Sequence, residues 1–171
     1  MLFWKTAALV SAVLAGLLLV PPVWAGKIVD GDLSLEFTPP PYFQTTKNPP
    51  GKPIHYVLTP PDKSVAISTG SQFDRNLRNA APFDPAPAKA FCARAVAVIP
   101  KEVTLQKSNR FLLDNQNGVE CQFAAPNGRT IHWVAAPVPA QLLMFMADWP
   151  KPPSKEQVAT FRQFLGGVQI F

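Results

Sequence analysis

His55, His132, Cys92 and Cys121 are all the imidazole and thiol that this chain of 171 residues carries, so nucleophilic, acid–base or metal chemistry has to pass through them or through its 11 carboxylates. Neither histidine has a second ligand at helical or hairpin spacing, and the cysteines match each other better than they match a metal site, so the sequence points to no metal and no cofactor. Asp30-Gly31-Asp32 offers two carboxylates across a glycine. That falls short of the roughly six to eight oxygens calcium takes, and the stretch reads as an ordinary turn. A triad of Ser68 or Ser71 with His132 and Asp148 can be drawn, but there is no G-x-S-x-G elbow to present the serine. Such a triad also needs its members within hydrogen-bond reach of one another. Acid pairs of the kind that cleave glycosides are not singled out either. The expectation is a protein that is not an enzyme, with no catalytic residues.

The cysteines are better read as structure. In "PAKAFCARAVAVIPKE" Phe91, Cys92, Ala95, Val96 and Ile99 share one face at helical spacing, while Lys89, Arg94 and Lys101 lie off it. In "GVECQFAAPNGRTIHWV" Val119, Cys121 and Phe123 alternate with Glu120 and Gln122, which marks a strand with Cys121 on its apolar side. Both sulfurs face inward, so a disulfide pinning helix to sheet is expected, contributing about 3–4 kcal/mol by chain entropy. The alternative is two buried free thiols. A catalytic cysteine lacks an electropositive neighbour to activate it.

A disulfide needs an oxidising compartment, and the N-terminus supplies a route to one. "MLFWKTAALVSAVLAGLLLVPPVWA" has an early cation, Lys5, an apolar run from Ala7 to Val20, and Val23 and Ala25 placed for cleavage before Gly26. This is the layout of a secretory signal. The run is shorter than the roughly 20 apolar residues a bilayer span needs, although a retained anchor is the alternative, and no cysteine near the cleavage point offers a lipid attachment. Residues 1–25 are thus expected to be a signal peptide and 26–171 a single domain, exported to the periplasm or secreted. The absence of an N-x-S/T acceptor after residue 25 favours the bacterial periplasm. Removing the signal takes away Lys5 and no acid, leaving 15 basic against 11 acidic residues, a net charge of +4. The cations are scattered, which excludes a nucleic-acid track and leaves room only for weak association with an anionic membrane or cell wall.

The elements that position these residues follow from periodicity. "KIVDGDLSLEFTPPPYF" reads as a strand with Leu33, Leu35 and Phe37 on one face, stopped by prolines; "TTKNPPGKP" reads as a loop. "IHYVLT", the turn "PPDK" and "SVAISTG" form a hairpin. "SQFDRNLRNAAP" reads as a short helix, with Ser71 and Asp74 in capping relation. The stretches "NRFLLDN", "VECQFAA" and "TIHWVAA" form a meander turned at the two Asn-Gly pairs. Counting outward from Asn127-Gly128 pairs Phe123 with His132 and Cys121 with Val134. That puts His132 on the cysteine face, and Ile131 and Trp133 on the opposite one. "LLMFMA", 142–147, is apolar on both sides and reads as a central strand, with "DWP" as its exit. "SKEQVATFRQFLGG" is an amphipathic helix capped by Ser154 and Gln157. The expected class is α+β: an antiparallel sheet with helices packed on both faces.

This order of elements, from "FTPPPYF" through the hairpin and meander to "QLLMFMADWP" and the terminal helix, resembles the PsbP-like α/β/α sandwich family, including its DcrB-like bacterial envelope members. The resemblance covers nearly all of residues 27–171. It implies a binding or assembly module, with no metal or photosystem contacts carried over because no motif matches them. Trp133, set among polar neighbours by the register count, and Trp149, beside Asp148 at the strand exit, are candidates for a partner-binding face together with Tyr42, Phe43, Arg75 and Arg78. The alternative is that both tryptophans pack under the terminal helix. The leading reading is an exported, non-catalytic module that contacts a protein partner in the cell envelope. The others are a periplasmic inhibitor or immunity protein against a toxin or hydrolase, and a hydrolase with an unrecognised site.

Overall fold

The seven strands of the main sheet run in the order β3-β4-β5-β9-β8-β7-β6, every neighbouring pair antiparallel. They are β3 (Gln44–Lys47), β4 (Ile54–Thr59), β5 (Ala66–Phe73), β6 (Thr104–Leu113), β7 (Gln116–Ala124), β8 (Thr130–Val138) and β9 (Gln141–Trp149). A small second sheet joins β1 (Ile28–Asp30), β2 (Leu35–Phe37) and the C-terminal β10 (Gln169–Ile170). Two helices complete the chain, α1 (Ala88–Ala95) and α2 (Lys155–Gly166). The computed structural model describes residues 26–48, 53–73, 88–95, 102–139 and 141–171. The expected signal segment, the predicted helix beyond Phe73, and Arg75 and Arg78 lie outside the described residues.

The run 142–147 is a central strand, as its two-sided apolarity requires: β9 is flanked by β5 and β8. Leu143, Phe145, Ala147 and Trp149 point to one face and are buried, while Leu142, Met144 and Met146 point to the other and are half-buried. Alternation of this kind is the period of a strand. On the first face lies α2. Its capping box forms as the sequence predicts, with the Gln157 amide donating to the Ser154 hydroxyl at 3.3 Å and the Ser154 amide donating to the Gln157 side chain at 2.8 Å. Phe161 and Phe164 come down on Trp149, Phe37 and Phe145, with ring centroids 5.9, 5.7 and 6.2 Å apart. The small sheet adds Leu33, Leu35 and Phe37 to the same cluster.

The opposite face carries α1, joined to β7 by the disulfide Cys92–Cys121 with Cα atoms 5.6 Å apart. Helices covering both faces are not what the structure supports. α1 lies against β6 and β7, and among the described residues no helix lies over β9 and β5 on the cysteine face. The fold is mostly β.

Local corrections have local causes. Residues 28–37 form a hairpin and not one strand, because the buried Asp30 carboxylate accepts the amides of Asp32 and Leu33, each at 3.0 Å, and closes a turn. This is the side-chain-driven turn that aspartate favours. Burial pushes the Asp30 carboxyl up. Hydrogen bonds from Tyr56 and the Leu33 amide, and the charge of Lys47, outweigh that and hold it below its ordinary value. Part of the expected loop after Phe43 is instead the exposed edge strand β3. Ser71 and Phe73, expected in a helix, finish β5. The β6–β7 turn falls at Asp114-Asn115, whose φ angles of 44° and 64° make the tight hairpin turn, and not at Asn117-Gly118. Gly118 sits inside β7, where a Cβ would meet the Ala135 carbonyl oxygen at 2.5 Å.

Candidate functional site

The β7–β8 turn decides which side chains reach which face. Ala124 pairs with Thr130, and the Ala125 amide donates to the Arg129 carbonyl at 2.8 Å, so the loop is Pro126-Asn127-Gly128. A two-residue Asn-Gly turn would pair Pro126 with Arg129, and proline has no amide to give to that pair. The loop gains one residue, with Asn127 and Gly128 at φ 64° and 76°. The register moves by one, and a one-residue slip sends every side chain of a strand to the other face. Cys121 therefore pairs with Trp133, Gln122 with His132 and Phe123 with Ile131.

Trp133 is on the cysteine face and buried, stacked on Phe91 of α1 with centroids 5.6 Å apart. His132 is on the α2 face, buried, with its ring 4.9 Å from Trp149. Beside it Glu120, also buried, accepts two hydrogen bonds from Arg162 of α2 at 2.7 and 2.9 Å, and His132 Nδ1 lies 3.9 Å from the same carboxylate. Burial lowers the His132 pKa from its ordinary 6.5; Glu120 draws it up and Arg162 pushes it down. This cluster ties the helix to the sheet. Its pairing of a buried carboxylate with a guanidinium is signalled in sequence only by Glu120 falling on the strand side opposite Cys121.

The drawn triad is not brought together. Ser68 pairs with Met146 and Asp148 with Ile131, so both lie on the cysteine face, away from His132. Asp148 is engaged by Arg129, whose Nε donates at 2.7 Å and whose Nη2 donates to the second oxygen. Ser71 is level with Leu143 and Ala136, further along the sheet. Among the described residues no three His, Cys, Asp or Glu side chains gather at metal-binding distance.

What the structure does bring together is part of the predicted binding set. Tyr42 and Phe43 stand over a cleft of about 340 Å³ at the sheet's rim, whose floor includes Trp149 and Ile67. Pro60 and Pro61 of the β4–β5 turn form one wall, and Gln157 and Thr160 of α2 another. Trp149 itself is not a surface indole; it is fully buried between His132 and Phe161. Tyr42 is the exposed member, 65% accessible. The Phe43 amide donates to the Pro40 carbonyl at 3.2 Å, closing a turn with Pro41 and Tyr42 at its centre. Tyr42 holds φ 67° there. This is the position where such turns call for glycine or asparagine. Thus Tyr42, Phe43 and Trp149 meet at one cleft, while Trp133 and Asp148 do not join them.

No family model matches the sequence, and comparison with curated proteins finds no match. Among solved structures the chain is similar to cyanobacterial PsbP (CyanoP) from Synechocystis sp. PCC 6803, at 10% identity and a TM-score of 0.65, covering 89% of this chain and 95% of that one. It is also similar to a protein from Bacteroides thetaiotaomicron VPI-5482, at 11% identity and a TM-score of 0.50. That match covers 85% of this chain, which spans 48% of the longer protein. The likeness is one of fold: the chain has a PsbP-like fold, as its element order implied.

Proposed function

We propose that the chain is an exported, non-catalytic binding module that contacts a protein partner in the cell envelope through the rim cleft around Tyr42. The observation that carries this reading is a large aromatic ring held outward in a strained turn. A tyrosine in the left-handed region costs on the order of 1 kcal/mol, and such strain clusters at sites that bind or switch. Glycine would relieve the strain and lose the ring. Pro41 beside Tyr42, and Pro60 and Pro61 on the β4–β5 turn, restrict the two loops before any partner arrives, which reduces the ordering entropy lost on binding. Tyrosine is among the residues that dominate interface energies. Export is supported by the signal-like N-terminus and by the Cys92–Cys121 bond, which belongs in an oxidising compartment.

The test is capture from an envelope extract with wild type and Tyr42→Gly side by side. The substitution is expected to raise the unfolding free energy or leave it unchanged, within about 1 kcal/mol, while the captured protein is lost. Equal capture by both would reject the site. The identity of what is captured separates an assembly partner from a toxin or hydrolase.

A further inference from the structure

The cysteine face carries a second concavity, separate from the rim cleft and independent of the function proposed for it. Beyond Trp133, over β9 and β5, a groove of about 470 Å³ opens. Met144 and Met146 form its floor with Gly70 and Ser68, which pair with them across the sheet. Trp133 closes one end, and Pro53 with Ile54 overhangs the other. A Cβ on Gly70 would meet the Pro53 carbonyl oxygen at 1.9 Å, so only glycine lets that overhang lie against β5.

The chemistry of the lining is narrow. Among the described residues that line the groove none carries a charged side chain. Ser68 and Trp133 are each more than nine-tenths buried, at 8% and 5% exposure. Neither the Ser68 hydroxyl nor the Trp133 indole N–H has a hydrogen-bond partner among the described residues, and neither is among the sealed, unpartnered polar atoms of the interior. Both residues line the groove, so it is the space these groups can reach. An ion would lose its hydration there with no counter-charge. A pure hydrocarbon would leave two donors facing apolar matter, whereas an acceptor oxygen would satisfy them. Methionine side chains adapt to irregular apolar shapes.

We propose that this groove is a binding site for a neutral apolar small molecule bearing a carbonyl-type oxygen, with Ser68 and Trp133 donating to that oxygen and Met144 and Met146 holding the apolar body. A lipid ester and a free aromatic ketone share this chemistry.

The experiment titrates the oxidised protein with a neutral naphthyl ketone dye, 6-propionyl-2-dimethylaminonaphthalene, reading its emission shift and energy transfer from tryptophan. Saturable binding is expected. Ser68→Ala is expected to weaken it up to about tenfold, the worth of one hydrogen bond, without weakening the analogue in which the carbonyl is reduced to methylene. Met146→Trp should abolish binding by filling the floor, with Met146→Phe as the milder variant and far-ultraviolet circular dichroism confirming that each folds. Tyr42→Gly should bind as wild type does. Displacement by short-chain phosphatidylcholine assigns the site to lipid esters, and displacement by acetophenone alone assigns it to soluble aromatics. No saturable binding, or binding that is equal for wild type and the folded Met146 variants, overturns the site. Equal affinity for the carbonyl-free analogue overturns the role given to Ser68 and Trp133.

Discussion

The two faces of the long sheet share the same strands and the same alternation of side chains, yet one is sealed and the other is open. On the α2 face a helix of 12 residues sets Phe161 and Phe164 onto Phe37, Phe145 and Trp149, and the small sheet closes what remains. On the cysteine face α1 is fixed by a covalent bond at Cys92 and by the Phe91–Trp133 stack, and Met144 and Met146 lie beside a groove. The disulfide adds to the apolar contacts of Ala88, Phe91 and Cys92 by restricting the unfolded chain. The sealed face supports the floor of the rim cleft, through Trp149, and so provides rigidity where the open face provides space.

The contrast is sharpened most by truncating one residue on each side of β9. Trp149→Ala is expected to lower the unfolding free energy by about 3–5 kcal/mol, the range for large aromatic side chains in packed cores, in urea titrations. Met146→Ala, half-buried at the groove, should cost about 1 kcal/mol or less. Similar losses at the two positions would erase the distinction between the faces. Next in size is the disulfide: replacing both cysteines by alanine should remove about 3–4 kcal/mol, since the bridged residues are 29 apart. If the thermal midpoint were unchanged by this replacement, the covalent tie would not be what holds α1.

The smallest effect is a pH dependence from His132. Burial depresses its folded pKa below 6.5, so the unfolded chain takes up the proton more readily. Its neutral form's contribution is complete above about pH 6.5 and is lost as pH falls from there through the folded pKa. Asp30, held below its ordinary 3.8, loses its own contribution at lower pH, so the two windows are separable. His132→Phe should flatten the stability profile below about pH 6.5 and leave the lower window in place. An unchanged slope in the variant would mean that His132 is not buried against Trp149 and Glu120.

Most of this architecture was legible because it rests on periodicity and capping. The two-sided run 142–147, the Ser154 and Gln157 box, and the inward-facing Cys92 and Cys121 each follow from side-chain spacing. The face assignment of β8 did not follow from counting out from Asn-Gly alone, although Pro126 carried the missing signal: it cannot donate where a two-residue turn would need it. That single residue exchanges the places of His132 and Trp133, and with them the predicted polar setting of the tryptophan. Gly118 misled in a related way. Asn-Gly marks a turn by its torsional freedom, but here the glycine is required by the Ala135 carbonyl alongside it. The strain at Tyr42 is invisible in sequence, because nothing in "PPPYFQ" says which residue takes the positive φ.

The register of β8 against β7 sets which side chains face α2 and which face α1, and ring-to-ring nuclear Overhauser contacts read that register. Cross-peaks between the Trp133 indole and the Phe91 ring, with separate cross-peaks linking His132 to Trp149, are the predicted result. Contacts from His132 to Phe91, with Trp133 reporting to Phe161, would place each side chain on the other face and contradict both the sealed cluster and the groove.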